Sequence, residues 1–213
     1  WLLAHYPLPL WAFFTGLIAA SVPLVLRAVH PTRPRVLVPF VPGVLVAAWL
    51  GLQPGLAELG NAHWIFFLSG AVAICAMILP GISGSFILLL LGMYAAVMGA
   101  VDNGDWLRIG TFMAGAAIGL LAFVQLLRRL LVRWHDPLVG LMAGFMAGSL
   151  VKVWPWQWAA PERVAEWPVW PSTYVDQTGE PAQLPLVLAA AVAGLLVAWL
   201  LSRASAVHNE TNL

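Results

Sequence analysis

Residues Trp64 to Val101 form a run of 38 with no Asp, Glu, Lys, Arg, His, Asn or Gln. The run divides into WIFFLSGAVAICAMIL, the loop PGISGS at 80–85, and FILLLLGMYAAVMGAV. Each apolar arm has 16 residues. As a helix, an arm reaches about 24 Å, short of a hydrocarbon core of about 30 Å. A loop that interrupts backbone hydrogen bonding at membrane depth survives only where protein buries it or a wet cavity meets it. The loop is therefore the first place to look for a ligand.

Composition places the whole chain in a membrane. Hydrophobic residues make up 62% and charged residues 9%, with a mean hydropathy of +0.88, whereas soluble domains carry roughly 25% charged residues. The net charge of +1 gives no reason to expect a nucleic-acid partner. The single cysteine, Cys75, lies in an apolar arm and reads as a packing residue. The five histidines, at 5, 30, 63, 135 and 208, avoid the apolar spans, and no HExxH, CxxC or carboxylate cluster occurs. No metal and no cofactor is expected. The first residue is Trp rather than Met, which suggests missing upstream residues.

The fold class that follows is all-α, a polytopic membrane protein with about five spanning helices and one re-entrant or short two-span helical hairpin. The spans are 8–26, 36–52, 109–127, 137–151 and 184–201. Pro39, Pro42 and Gly43 weaken the second. Residues 152–183 form a polar excursion carrying five tryptophans, read as an interfacial anchor. A polar connector with Glu58, Asn61 and His63 precedes the hairpin. The loops at 27–35 and 128–136 and the C-terminal tail together hold seven basic and two acidic residues; the opposite side holds three and seven. The basic side is the cytoplasmic one. Glu58 and Asp102 then both lie outside, so 64–101 enters and leaves from one face. The short arms, and a turn without Lys or Arg, favour re-entry over two tilted spans.

Within the loop, Pro80 ends the first arm, and Gly81 and Gly84 let a ligand approach the main chain. Ser83 or Ser85 can cap the helix beginning near Phe86. The exposed N–H groups at that start would favour an anion such as phosphate. Lys152 follows a Gly-rich span and could reach the same phosphate from outside, although snorkelling also explains it. Gly140, Gly144 and Gly148 line one helix face for close packing, with Gly115 and Gly119 a shorter version. Arg128, Arg129 and Arg133 are accounted for by topology.

Two stretches, PGISGSFILLLLGMY at 80–94 and GLMAGFMAGSLVKVWPW at 140–156, with HDP at 135–137 between them, resemble a bacterial membrane family. It was long catalogued as a domain of unknown function and is now regarded as polyprenyl-phosphate transporters. The resemblance implies movement of undecaprenyl phosphate, the lipid carrier of cell-wall synthesis, across the bacterial cytoplasmic membrane, without bond-making chemistry. The substrate-binding candidates are Pro80, Gly81, Ser83, Gly84, Ser85 and Lys152. Family members resemble an internal duplication with an earlier P-G-x-S-G copy, absent here, so the chain looks N-terminally truncated. Half of the site would then lie in the missing upstream repeat; the partners expected are a polyprenyl-phosphate lipid, the membrane, and either that missing N-terminal half or further copies in a homo-oligomer. Two such hairpins would make an inverted-repeat plan.

Two other function classes fit parts of the pattern. Gly81-Ile82-Ser83-Gly84 matches the GxSG string of rhomboid intramembrane proteases, but a nucleophilic serine needs a base, and no later span contains a histidine. A channel or carrier for another anion fits the loop argument equally.

Overall fold

The computed structural model describes residues 6–27, 29, 34–53, 60, 62–81, 83–158 and 167–210, with side chains up to Arg203 in the last helix. The connector residues Glu58 and Asn61, with Arg33, His30, Ile82 and the stretch 159–166, lie outside the described residues. In chain order the elements are α1 Pro7–Leu26, α2 Pro34–Gly51, α3 His63–Ile78, α4 Gly84–Leu90, α5 Tyr94–Asp102, α6 Trp106–Arg133, α7 His135–Val153, β1 Gln157–Trp158, β2 Trp167–Pro168, α8 Pro171–Thr178 and α9 Leu184–Glu210. Five helices among the described residues are long and apolar enough to span: α1, α2, α6, α7 and Leu184–Arg203 of α9. The chain is a multi-pass, all-α membrane protein, as the sequence implied. The spans overrun their expected limits where a cap or a proline start extends them. Asp105 caps α6 by accepting the Arg108 N–H at 3.1 Å.

Three helix pairs make the body, and glycine seams hold each of them. Side chains added at Gly140, Gly144 and Gly148 of α7 would run into the carbonyl oxygens of Val36, Phe40 and Val44 on α2. Gly115 and Gly119 of α6 meet Phe67 and Ala71 of α3 in the same way, and Gly16 of α1 meets Ala191 of α9. Lipid tails are as apolar as the side chains, so close backbone approach is what makes such pairs stick. In all three pairs the partner residue numbers rise together, so the paired helices run parallel. The packing role expected for these glycines is thus where the structure uses them.

Direction follows from the pairs. Leu8 and Ala12 of α1 share a core with Val187 of α9, Ala182 and Trp156, which lies just beyond α7. The starts of α1 and α9 and the end of α7 therefore lie at one end of the bundle. α6 joins α7 through the single residue Trp134 at the other end, so α6, and α3 beside it, start at the first end. These are the ends that the count of basic residues groups on one side.

The second arm of the hairpin departs from expectation. Its charge-free length implies one 16-residue helix, but it breaks into α4 and α5, bent by 107°. Gly92 takes φ +65, which only glycine adopts cheaply. The Gly92 N–H donates to Leu89 O at 3.0 Å and the Met93 N–H to Leu88 O at 2.8 Å. Those two bonds make a Schellman stop, with its usual apolar contact between Leu88 and Met93. Both residues are buried with Ile65, Phe66, Ala73 and Ala100 in the core between the two arms, where Met93 is 0% exposed.

The tryptophans of 152–183 do not act as one anchor. Trp156 is 6% exposed and its indole N–H donates to Ala182 O at 3.1 Å. Trp154 stacks edge-on to it with centroids 5.8 Å apart and donates to Val169 O at 3.0 Å. These two build a cap that ties the end of α7 to the start of α9; Trp167 and Trp170 stay exposed. On α8, Tyr174 donates to Glu180 at 3.3 Å. Burial, and then the Glu180 carboxylate, push its phenol above the ordinary value and keep it a donor.

Candidate functional site

The hairpin loop comes to rest against the middle of α7. Gly81, at φ +92, turns its α-carbon to that helix, where an added methyl would stand 3.0 Å from Met146 Cα and from the Phe145 carbonyl oxygen. Two independent constraints therefore select glycine at this position: its left-handed backbone and its contact. Met146 is near the centre of the 19-residue α7. Lys152 lies six residues further on, about 9 Å higher along the helix axis.

A cavity of about 310 Å³ opens between these two levels. Gly81, Ser83 and Phe86 of the hairpin form its floor, Ser149 and Lys152 of α7 one wall, and Trp11 of α1 another. Ala47, Leu50 and Gly51 of α2 close the side. Small residues on α2 leave this room: a methyl at Gly51 would touch Lys152 Cβ at 3.4 Å. The walls are almost wholly apolar, with two hydroxyls and one ammonium supplying the polar groups. Lys152 Nζ lies 5.8 Å from the Phe86 ring centroid, near enough for the ring face to favour the cation.

Three of the six candidates from the sequence, Gly81, Ser83 and Lys152, line this cavity. The others have different surroundings. Pro80 follows Leu79, the residue that closes α3. An added methyl at Gly84 would stand 2.9 Å from the Ala73 carbonyl oxygen, so this glycine lets α4 close on α3. Ser85 pairs with Ser83, hydroxyl to hydroxyl at 2.9 Å. Ser83 does occupy the N-cap position of α4, with an extended backbone, but it makes no capping bond. The expected cap is replaced by the Ser83–Ser85 pair. The seven-residue α4 carries a short dipole, so charge attraction in the cavity falls to Lys152.

Sequence reasoning missed Trp11, Phe86 and Ser149. Ser149 is 8% exposed and donates to Met146 O at 2.8 Å, which leaves its oxygen lone pairs to the cavity. Thr15 lies 2.8 Å from Val153 O and 2.9 Å from Trp11 O, and ties α1 to the end of α7. A polar residue one helical turn after Trp11 on a span otherwise without charge was the available signal. What it needed was knowledge that α1 packs on α7.

Ser83 bonds to Ser85, and the cavity sets one ammonium and two hydroxyls among apolar walls. The family described as VCA0040-like, undecaprenyl phosphate translocase-like, matches residues 1–167. The chain belongs to that family. A polyprenyl-phosphate transporter of Vibrio cholerae is 44% identical over 157 residues, covering 74% of this chain and 51% of the relative. A polyprenyl-phosphate transporter of Staphylococcus aureus is 29% identical over 185 residues, covering 78% of this chain and 64% of the relative. The chain thus spans about half to two thirds of the length of these relatives. No solved structure matches it.

Proposed function

We propose that this chain carries a lipid-phosphate site of a transporter that moves undecaprenyl phosphate, or a related polyprenyl phosphate, across the bacterial cytoplasmic membrane. The observation that carries the reading is the cavity joining Gly81 and Ser83 of the hairpin to Lys152 of α7 within apolar walls. The phosphate would accept from Lys152 and from the Ser83 hydroxyl while Ser85 donates to Ser83, and the prenyl chain would lie along Trp11, Leu50 and Phe86. No bond is made or broken. A charge-assisted hydrogen bond of this kind contributes about 1.5–3 kcal/mol.

The same reading makes 64–101 a re-entrant hairpin. Its support is geometric: α3 and α6 are parallel, so the chain must return between them. Its loop also stops beside Met146, halfway along a spanning helix. Backbone at that depth is tolerated where it borders a cavity. Discontinuous helices meeting substrate near the midplane are a recurring transporter device, and rocking of the elements around them would expose the site to each side in turn.

The test is transport of labelled undecaprenyl phosphate by the full-length protein in vesicles. Lys152→Gln should weaken apparent affinity about 10- to 100-fold, and Gly81→Val should abolish transport. Binding should follow polyprenyl phosphate over polyprenyl alcohol and over a soluble anion. Unchanged transport in both variants would remove the cavity from the mechanism, and equal binding of the alcohol would remove the phosphate from it.

A further inference from the structure

A second cavity, of about 410 Å³, lies on the same helix that walls the first. Its sides are Ala20, Pro23 and Leu24 of α1 against Leu195, Leu196 and Trp199 of α9, with Arg27 at its end. Trp11 lines the first cavity and Leu24 the second, so the two are separated by about 20 Å along α1. Both combine apolar helix walls, one indole and one cation. At the second, a further guanidinium is at hand: Arg203 stacks on the Trp199 ring at 4.0 Å from its centroid. Arg27 is the C-cap of α1, and Arg203 ends the apolar part of α9. The cations thus stand where both helices stop being apolar, at the headgroup level opposite the Trp154–Trp156 cap.

We infer that this groove is a second station for a lipid bearing a phosphomonoester on a single apolar chain. The inference rests on the reading that the first cavity takes such a lipid. The tail would lie between α1 and α9, against Leu24, Leu195 and Leu196. The headgroup would meet Arg27 and Arg203. Charge decides between lipid classes. A phosphomonoester carries about −1.5 to −2 at neutral pH, which two guanidiniums match, whereas a phosphodiester headgroup offers one formal charge to the same pair. Guanidinium also binds phosphate in a bidentate fork, so the site holds the headgroup oriented. A single chain fits a groove walled by one face of each of two helices. The two stations then mark the beginning and end of the headgroup's path along α1.

The experiment places a benzophenone amino acid at Leu196, and separately at Leu50 in the first cavity, in the full-length protein in phosphatidylcholine nanodiscs. Undecaprenyl phosphate is titrated in and photo-adducts are measured by mass. Adducts are expected at both positions. Arg27→Gln should shift the Leu196 titration about 10- to 100-fold and leave that at Leu50 in place; Lys152→Gln should do the reverse. Ala20→Leu, which fills the groove and keeps both arginines, should suppress the Leu196 adduct. Labelling at Leu50 without Leu196 overturns the groove alone. Labelling at neither overturns the first cavity with it. Equal competition by phosphatidylglycerol at Leu196, or an unshifted titration in Arg27→Gln, overturns the phosphomonoester assignment.

Discussion

The two arms of the hairpin have the same length and the same freedom from charge, yet one is a helix and the other is two. In α3, Gly70 lies inside the helix and faces Phe112 of α6, where a side chain would collide with backbone. In the second arm, Gly92 takes φ +65 and stops the helix. The same residue type serves opposite ends: it lets two backbones touch in one arm and turns the backbone in the other. Neighbours decide which. Met93 has a buried slot beside Leu88 and Phe66 to drop into once the chain turns, and in lipid it is close packing, not removal from water, that favours it there. Apolar composition alone carries no instruction about where a helix stops.

Four substitutions test this contrast. The largest effect is expected at the α3–α6 seam. Gly115→Leu forces a branched side chain into the Phe67 backbone and should destabilise the folded protein by about 3 kcal/mol, read as the shift in unfolding midpoint in detergent. If its midpoint equals that of the native chain, the seam is not what holds α3. Gly84→Ala comes next, at about 1–2 kcal/mol, because its methyl meets the Ala73 carbonyl at 2.9 Å. Accessibility to a thiol reagent of a cysteine placed at Ala73, which is buried under α4, measured alongside in a Cys75→Ser background, should rise as α4 lifts from α3.

Gly92→Ala should cost about 1 kcal/mol for a side chain at positive φ. A pair of spin labels at Ile87 and Met98 should show whether the bend opens. A distance that lengthens toward that of one continuous helix would mean Gly92 alone sets the bend; an unchanged distance would assign it to the Met93 slot. The smallest effect, and the one of opposite sign, is at Gly99 within α5. Nothing lies within 4 Å of an added methyl there, so Gly99→Ala should stabilise by about 0.5–1 kcal/mol. Destabilisation at this position would show that α5 is more tightly packed than its open side suggests.

The all-α membrane class, the five spans and the suspicion attached to PGISGS were legible because they depend on local content: length, hydropathy and helix breakers. The charge count sorted the helix ends into two sets for the same reason. The break at Gly92 was not legible, since Leu-Gly-Met differs little from the Leu-Ser-Gly that α3 carries through at 68–70. The distinction lies in long-range packing on Phe66 and Ile65. The site was half legible. Gly81 and Ser83 announced themselves as breakers in an apolar run, and Lys152 as a charge at a span's end. Trp11, Phe86 and Ser149 are ordinary membrane-helix residues whose membership depends on α1, α4 and α7 meeting. Ser83 as a cap was a fair inference from its position, but a nearer hydroxyl at Ser85 took its bond.

The parallel pairing of helices also has a consequence in time. Parallel neighbours cannot be consecutive in the chain, so each helix waits for a partner made much later. α1 ends at Leu26 and α9 begins at Leu184. At synthesis rates of about 5–20 residues per second, α1 spends about 10 to 30 s in the bilayer before its seam partner emerges. α2, which carries Pro39 and Pro42 within one continuous helix, waits for α7 in the same manner. During that interval Gly16 and Gly43 present bare backbone to lipid or to whatever else is being inserted. The order of assembly is therefore inside out with respect to these helices: α1 and α2 are made before the others described and are among the last of them to be locked, and the ribosome's pace belongs among the determinants of whether this bundle closes correctly.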